Sequence, residues 1–296
     1  MQKIFINIYK GLNHFLIKYG IIFLENIFYK GGCSNTQKIF MDYQIDLHVH
    51  SNTNPHAFST IEENVTYAAE KGMKVIAITN HGPALLDTPH WWQLLNIRVL
   101  PNIIKGVRVL KGVEANIIGE NGEFDINQAI YQHLDIILCG FHGCREYHKY
   151  QPIEKNTKSA INIIKSQKID ILVHPGNKEF PIDFEEVIKV AKECNVALEI
   201  NNSSLGGTRV GSYERCSEVA RIAKKYGCFI TVNTDSHYCR LVGHTDLARK
   251  IIEEVDYPEE LIINSSEERL NKFLELRKSL RPKEIFDTYI DEKFSY

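Results

Sequence analysis

Three of the chain's twelve histidines fall inside nine residues of the stretch DLHVHSNTNPHAFST, Asp46 to Thr60: His48, His50 and His56. In an extended strand, residues two apart share a face, so His48 and His50 can aim both imidazoles at one point. Two neutral imidazoles converging in this way suit a divalent metal ion. Further ligand-type side chains follow at the ends of other apolar runs. His81 closes KVIAITNHG, Glu114 lies towards the end of RVLKGVEANI, and His142 closes DIILCGFHG. His174 stands in DILVHPGN, while Asp235 and His237 close FITVNTDSH. Nine nitrogen and oxygen donors exceed the three or four that one catalytic zinc takes, which suggests two or three ions close together. Neighbouring cations need an anion between them, and Glu114 is the natural bridge. The imidazole and carboxylate set suits zinc, manganese or iron and disfavours copper(I).

The elements that must position these groups follow from the patterning. Seven Ile- and Val-rich runs, YQIDLHVH, KVIAITNHG, RVLKGVEANI, DIILCGFHG, DILVHPGN, VALEINNSS and FITVNTDSH, are bounded by Gly, Pro, Asn or Ser. Helical stretches lie between them, including Thr60 to Lys71, Lys155 to Gln167, Asp183 to Cys194 and Ser212 to Tyr226. Asp183 and Ser212 are expected N-caps, and Gly72 and Gly227 C-terminal stops. Beyond Val255 two further helices are expected, one over Ser266 to Leu280 and a short one near Phe286. Successive β-α units imply parallel strands closed into a barrel or wound into an open sheet. In a barrel the strands' C-terminal ends converge on one face, which is where the ligand-type residues fall.

Composition narrows the function classes. The 296 residues carry 35 basic and 37 acidic side chains, a formal charge of −2, so no overall cationic field draws in nucleic acid. Seven scattered cysteines with no Cys-x-x-Cys pair argue against a disulfide framework or a thiolate zinc knuckle and fit reduced thiols in the cytoplasm. Residues 1–40 differ from the rest, with five lysines against one glutamate and an apolar run, HFLIKYGIIFLENIF, interrupted by Lys18 and Glu25 before it could span a bilayer. Two readings of this extension stand: a peripheral amphipathic helix on the barrel or a membrane, or a start placed too early, since MDYQIDLHVH from Met41 opens naturally into the first strand. Residues 41–296 are expected to form one domain, with no membrane association unless the extension provides it.

The ordered motifs HVH, His56, ITNHG, GVEAN, GFH, VHPGN, EINNSS and TDSH resemble the PHP (polymerase and histidinol phosphatase) family, particularly its YcdX-like phosphatase branch. The likeness runs from about Asp46 to the region of Asn271. It implies a distorted seven-stranded (β/α) barrel, TIM-like, holding three divalent ions at the C-terminal ends of the strands, most commonly Zn2+, with Mn2+ or Fe2+ as alternatives. The resemblance places one ion on His48, His50, Glu114 and Asp235, a second on Glu114, His142 and His174, and a third on His56, His81 and His237. Two features depart from the family pattern. Asn80 stands where an aspartate usually precedes the histidine, which would weaken a metal site if that carboxylate orients a ligand. The stretch around Gly143 also differs.

The implied activity is hydrolysis of a small phosphomonoester by metal-bound hydroxide, with Asp235 or His237 as proton acceptor. Arg98 and Arg209, both in loops, are candidate phosphate clamps, and Asn201 and Asn202 candidate contacts to substrate or ligand carboxylates. DTPHWWQ, from Asp87 to Gln93, reads either as a lid over the metals or as an aromatic cluster packing the following helix. A phosphodiesterase or nuclease of the same family and a non-catalytic metal-binding regulatory domain are the competing classes. An amidohydrolase would need a bridging lysine or glutamate from the fourth run, which offers only His142. No G-x-S-x-G elbow, P-loop or G-x-G-x-x-G is present. The expected partner is a small phosphorylated substrate, with no stable nucleic-acid complex; a homo-oligomer is compatible with the sequence.

Overall fold

A computed structural model describes residues 43–285 apart from positions 87, 89, 207, 208 and 210. The extension over residues 1–40 and the short helix expected near Phe286 lie outside the described residues. The described residues include eight strands: β1 (Ile45–Val49), β2 (Val75–Ile78), β3 (Ile103–Ile104), β4 (Val107–Asn116), β5 (Ile136–Gly140), β6 (Ile171–Leu172), β7 (Ala197–Asn201) and β8 (Ile230–Asn233). Seven of them pair in parallel in the order β1-β2-β4-β5-β6-β7-β8, one for each apolar run. A parallel bridge from Val49 to Ser236 brings β1 to the end of β8, so the sheet forms a nearly closed barrel. The two-residue β3 is an addition that the patterning did not announce. It pairs antiparallel with β4 across Lys105 and Gly106, whose φ values of 50° and 81° fit a tight hairpin with both central residues left-handed.

The described residues include eight helices: α1 (Ile61–Glu70), α2 (Trp92–Asn96), α3 (Gln128–Tyr131), α4 (Ile153–Lys165), α5 (Phe184–Cys194), α6 (Ser212–Tyr226), α7 (Asp246–Val255) and α8 (Glu267–Leu280). Thr60 and Glu63 form a capping box at the start of α1, and the side chain of Asp183 accepts from the Glu186 N–H as the cap of α5. Gly72 and Gly227 follow α1 and α6 with positive φ, as stops should. Ser212 is not a cap: Gly211, at φ 89°, takes that position and Ser212 is buried within the first turn. The six described cysteines are free thiols, four of them buried.

Two apolar layers follow from strand alternation. Ile45, Leu47, Val75, Ala77, Leu110, Ile136, Leu138, Ile171, Val173 and Ala197 share one cluster inside the barrel, closed below by Leu270 and Phe273 of α8. The other faces, such as Ile76, Ile78, Val113, Cys139, Leu198 and Val232, pack outward under the helices. The inward set stops before the strands do, and polar side chains continue the same face upward: Glu114 above Leu110, Glu199 and Asn201 above Ala197, Asn233 and Asp235 above Thr231. Alternation alone does not account for two ligand-type positions. The β1–β2 register slips by one residue between Asp46 and Val49, which lets His48 turn inward directly after the inward Leu47. His174 follows inward Val173 and should face outward. A φ of 35° turns it back into the barrel.

Candidate metal centre

Glu114 sits at the hub, fully buried on β4. Its Oε2 lies 3.2 Å from His48 Nε2, 3.3 Å from His50 Nε2 and 2.9 Å from His81 Nδ1. Its Oε1 lies 3.1 Å from His142 Nε2 and 2.8 Å from His174 Nε2. Asp235 Oδ1 faces the same space, 3.2 Å from His50 Nε2 and 3.6 Å from His48 Nε2. His237 stacks on His50 at 4.3 Å between ring centroids and on His56 at 4.7 Å, and His56 lies 5.3 Å from His81. The structure therefore brings all nine ligand-type residues singled out in the sequence to one end of the barrel. Three sets present donor atoms within 4.8 Å of one another: His48, His50, Glu114 and Asp235; His81, Glu114 and His142; and His50, His81 and His237.

One carboxylate cannot satisfy five imidazoles by hydrogen bonding. His48 Nε2, His50 Nε2, His81 Nδ1 and Glu114 Oε2 are buried and lack a hydrogen-bond partner, a costly arrangement unless a cation completes it. The electrostatics agree. Burial alone would raise Glu114, but His48, His81 and His142 outweigh it and hold the carboxyl well below its ordinary range. Burial likewise opposes ionisation of Asp235, and the His48 charge and the His50 ring 3.2 Å away overcome it. His48 loses by burial and gains more from Glu199, Glu114 and Asp235, ending well above the ordinary imidazole value. Burial, with His50 beside it, takes His237 down to about 4. A cluster of ionised acids that pulls protons onto one histidine and off another is calling for positive charge, and the donor set fits divalent ions of the zinc, manganese or iron(II) type.

The substrate-contact expectations divide. Arg209 Nη1 donates to Ser204 Oγ (3.0 Å) and lies 3.5 Å from Asp235 Oδ2, partly exposed at the rim of the centre. Arg98 does not reach it: this exposed side chain meets His133 Nε2 at 3.2 Å, in the turn leading into β5, at the end where strands begin. Its loop follows β2 in sequence, but α2 has already carried the chain down the barrel. Asn202 is also committed elsewhere. Its Oδ1 accepts the Leu247 and Ala248 N–H groups, both at 3.0 Å, and so caps α7, whose own Thr245 makes no side-chain cap bond. Asn201 does belong to the centre, donating to Glu199 Oε2 (2.9 Å) and Asp235 Oδ2 (3.2 Å).

Asn80 turns to Ser51. Its Oδ1 accepts the Ser51 N–H (2.8 Å) and its Nδ2 donates to Ser51 Oγ (2.9 Å), pinning the turn after His50. Orientation of His50 falls to Asn54, whose Oδ1 lies 3.3 Å from His50 Nδ1 and accepts the His81 N–H at 3.1 Å. In the DTPHWWQ stretch, Trp91 packs against the main core while Trp92 is exposed, as an aromatic cluster leading α2 would be. The sequence reading passed over Glu199. The signal was there, an acid two residues before Asn201 in the apolar strand ALEIN.

The PHP domain family profile matches residues 46–276. The chain belongs to the PHP domain family. A probable phosphatase of Shewanella loihica is 43% identical over 239 residues, covering 80% of this chain and 95% of that protein. A probable phosphatase of Clostridium novyi is 39% identical over 241 residues, covering 81% and 98%. Among solved structures, a histidinol phosphate phosphatase of Lactococcus lactis, in complex with zinc, L-histidinol and phosphate, matches with a TM-score of 0.53 at 16% identity, over 73% of this chain and 95% of that one. At that identity the match establishes that the PHP domain here shares its barrel fold.

Proposed function

We propose that this PHP domain is a metal-dependent phosphatase acting on a small phosphomonoester, with three divalent ions, zinc foremost and Mn2+ or Fe2+ as alternatives. The observation that carries the reading is Glu114, a buried carboxylate with both oxygens ringed by five imidazoles at 2.8 to 3.3 Å. The naming of its relatives as probable phosphatases supports the reaction class. We assign one ion to His48, His50, Glu114 and Asp235, a second to Glu114, His142 and His174, and a third to His56, His81 and His237. Ions held there would supply acidified water and neutralise charge building on the phosphoryl oxygens.

The chain's own groups do the rest. Arg209 offers a guanidinium at the rim, where its fork can take two phosphoryl oxygens. The His237 Nδ1 donates to the Asp235 carbonyl oxygen at 3.0 Å, which leaves Nε2 as the acceptor, and with its pKa at about 4 the ring is neutral at pH 7. His237 can thus hold a lone pair towards the centre while Asp235 stays ionised.

Assays of purified protein with zinc, manganese or no metal, on p-nitrophenyl phosphate and on its bis-aryl diester, test the reading. Metal-dependent turnover of the monoester is expected, lost together with bound metal in Glu114→Ala. Preference for the diester would move the assignment to a phosphodiesterase, and inertness towards both with metal bound would make the domain non-catalytic.

A further inference from the structure

We infer that Glu199, on the one parallel strand whose run supplies no candidate metal ligand, is the positioning residue that presets two ligands of different ions. This inference rests on the metal centre proposed above. Four donors converge on the buried carboxylate, two on each oxygen. Oε1 receives His48 Nδ1 at 2.8 Å and Asn233 Nδ2 at 3.0 Å. Oε2 receives the backbone N–H of His174 at 3.0 Å and Asn201 Nδ2 at 2.9 Å.

Each contact has a consequence. A carboxylate that already accepts three N–H groups, from Asn233, Asn201 and the His174 main chain, is ionised and can only accept, so the proton shared with His48 must sit on Nδ1. In the neutral ring that a metal ligand must be, this fixes the tautomer in which His48 Nε2 carries its lone pair towards Glu114 and Asp235, the side where metal is needed. The second contact is to the main chain. His174 holds a φ of 35°, a conformation that is strained for a residue with a side chain and that this position needs to face inward. Its N–H, freed from the sheet by that twist, is taken up by Glu199. Through Asn201, which also donates to Asp235 Oδ2 at 3.2 Å, the same carboxylate reaches a third ligand. The barrel therefore spends β7 on orientation, with one acid coupling the His48 ion to the His174 ion.

Glu199→Gln keeps the shape and removes both properties. Its amide nitrogen must face either His48 Nδ1–H or the His174 N–H, donor against donor. Zinc affinity by chelator competition at fixed pH is expected to fall by about 10- to 100-fold, with Glu199→Asp recovering part of it. Separately, zinc-loaded wild type labelled with 15N-histidine should show the His48 Nδ1 proton as a slowly exchanging downfield signal, identified by its absence in His48→Gln. This readout does not depend on any Glu199 variant folding and is untouched by a merely structural role. Unchanged zinc affinity in Glu199→Gln, or a wild-type His48 protonated at Nε2, would overturn the inference. Wild type that binds no zinc would instead remove the metal centre itself.

Discussion

Asp125 shows how one buried acid can tie together the segments that carry ligands of this centre. It accepts the N–H groups of Asn116 (2.8 Å) and Ala84 (2.9 Å) and the side-chain amide of Asn116, tying the loop after His81 to the end of β4. Gly82 lies so close that a Cβ there would sit 2.4 Å from the carboxylate, which explains the glycine directly after His81. Burial, against these hydrogen bonds, pushes Asp125 up from 3.8 to about 6. An acid whose folded pKa exceeds its unfolded value binds its proton better when folded. Its stabilising effect is therefore full below about pH 4 and is lost as pH rises through about 6. In metal-free protein, the unfolding free energy of wild type relative to Asp125→Asn should fall by about 3 kcal/mol over that window. A flat difference in urea midpoints from pH 4 to 6.5 would contradict it. Asn202 and Arg98 teach the complementary point. An asparagine ending a strand and an arginine in a loop have several uses, and only their partners 45 and 35 residues away decide which one applies.

At the scale of elements, α8 closes the end of the barrel opposite the metal centre. Arg277 is fully buried, donating to Gln167 Oε1 (2.7 Å) and to the carbonyls of Ile169 (2.6 Å) and Cys194 (2.8 Å), with Asp170 Oδ1 at 3.4 Å. Arg281 pairs with Asp170 as well and donates to the carbonyls of Leu134 (3.1 Å) and Asp135 (3.0 Å). Together they satisfy backbone groups where β5 to β7 begin. Arg277→Ala would leave buried carbonyls unpaired and Asp170 with one cation fewer. A loss of about 3 to 5 kcal/mol is expected, read as a lower urea midpoint. Zinc affinity measured well below the unfolding transition should not change, because Arg277 and its partners lie where the strands begin and touch none of the ligand-type residues. The strands themselves were readable because period-two alternation and turn residues bounded each run. The β3 hairpin escaped because its Lys-Gly turn is two residues long, as is the strand.

For the whole molecule, a ring of imidazoles around ionised acids is a folding liability without cations and an asset with them. Ligands bound by the native state alone stabilise by mass action, about 4 kcal/mol at a thousandfold excess over Kd. Dialysis against a chelator should therefore lower the Tm by several degrees, and zinc should restore it. A Tm indifferent to chelation, with metal shown to leave, would mean that the centre forms without help from its ions. The described residues contain no helix long and apolar enough to cross a membrane.

By itself, the sequence determined the donor types, the seven parallel strands and the strand ends on which the donors fall, because alternation and punctuation are local properties. It determined the family through motifs in fixed order. What only the tertiary structure decided is which neighbours each polar group finds across the barrel: that Glu199 holds His48 and His174, that Asn54 rather than Asn80 serves His50, that Arg209 stays at the rim and Arg98 does not. Glu199 and His48 stand 151 positions apart and meet only when the sheet closes, and even Asn54 and His50, 4 apart, meet only in the geometry of one turn, so no spacing in the chain encodes these partners.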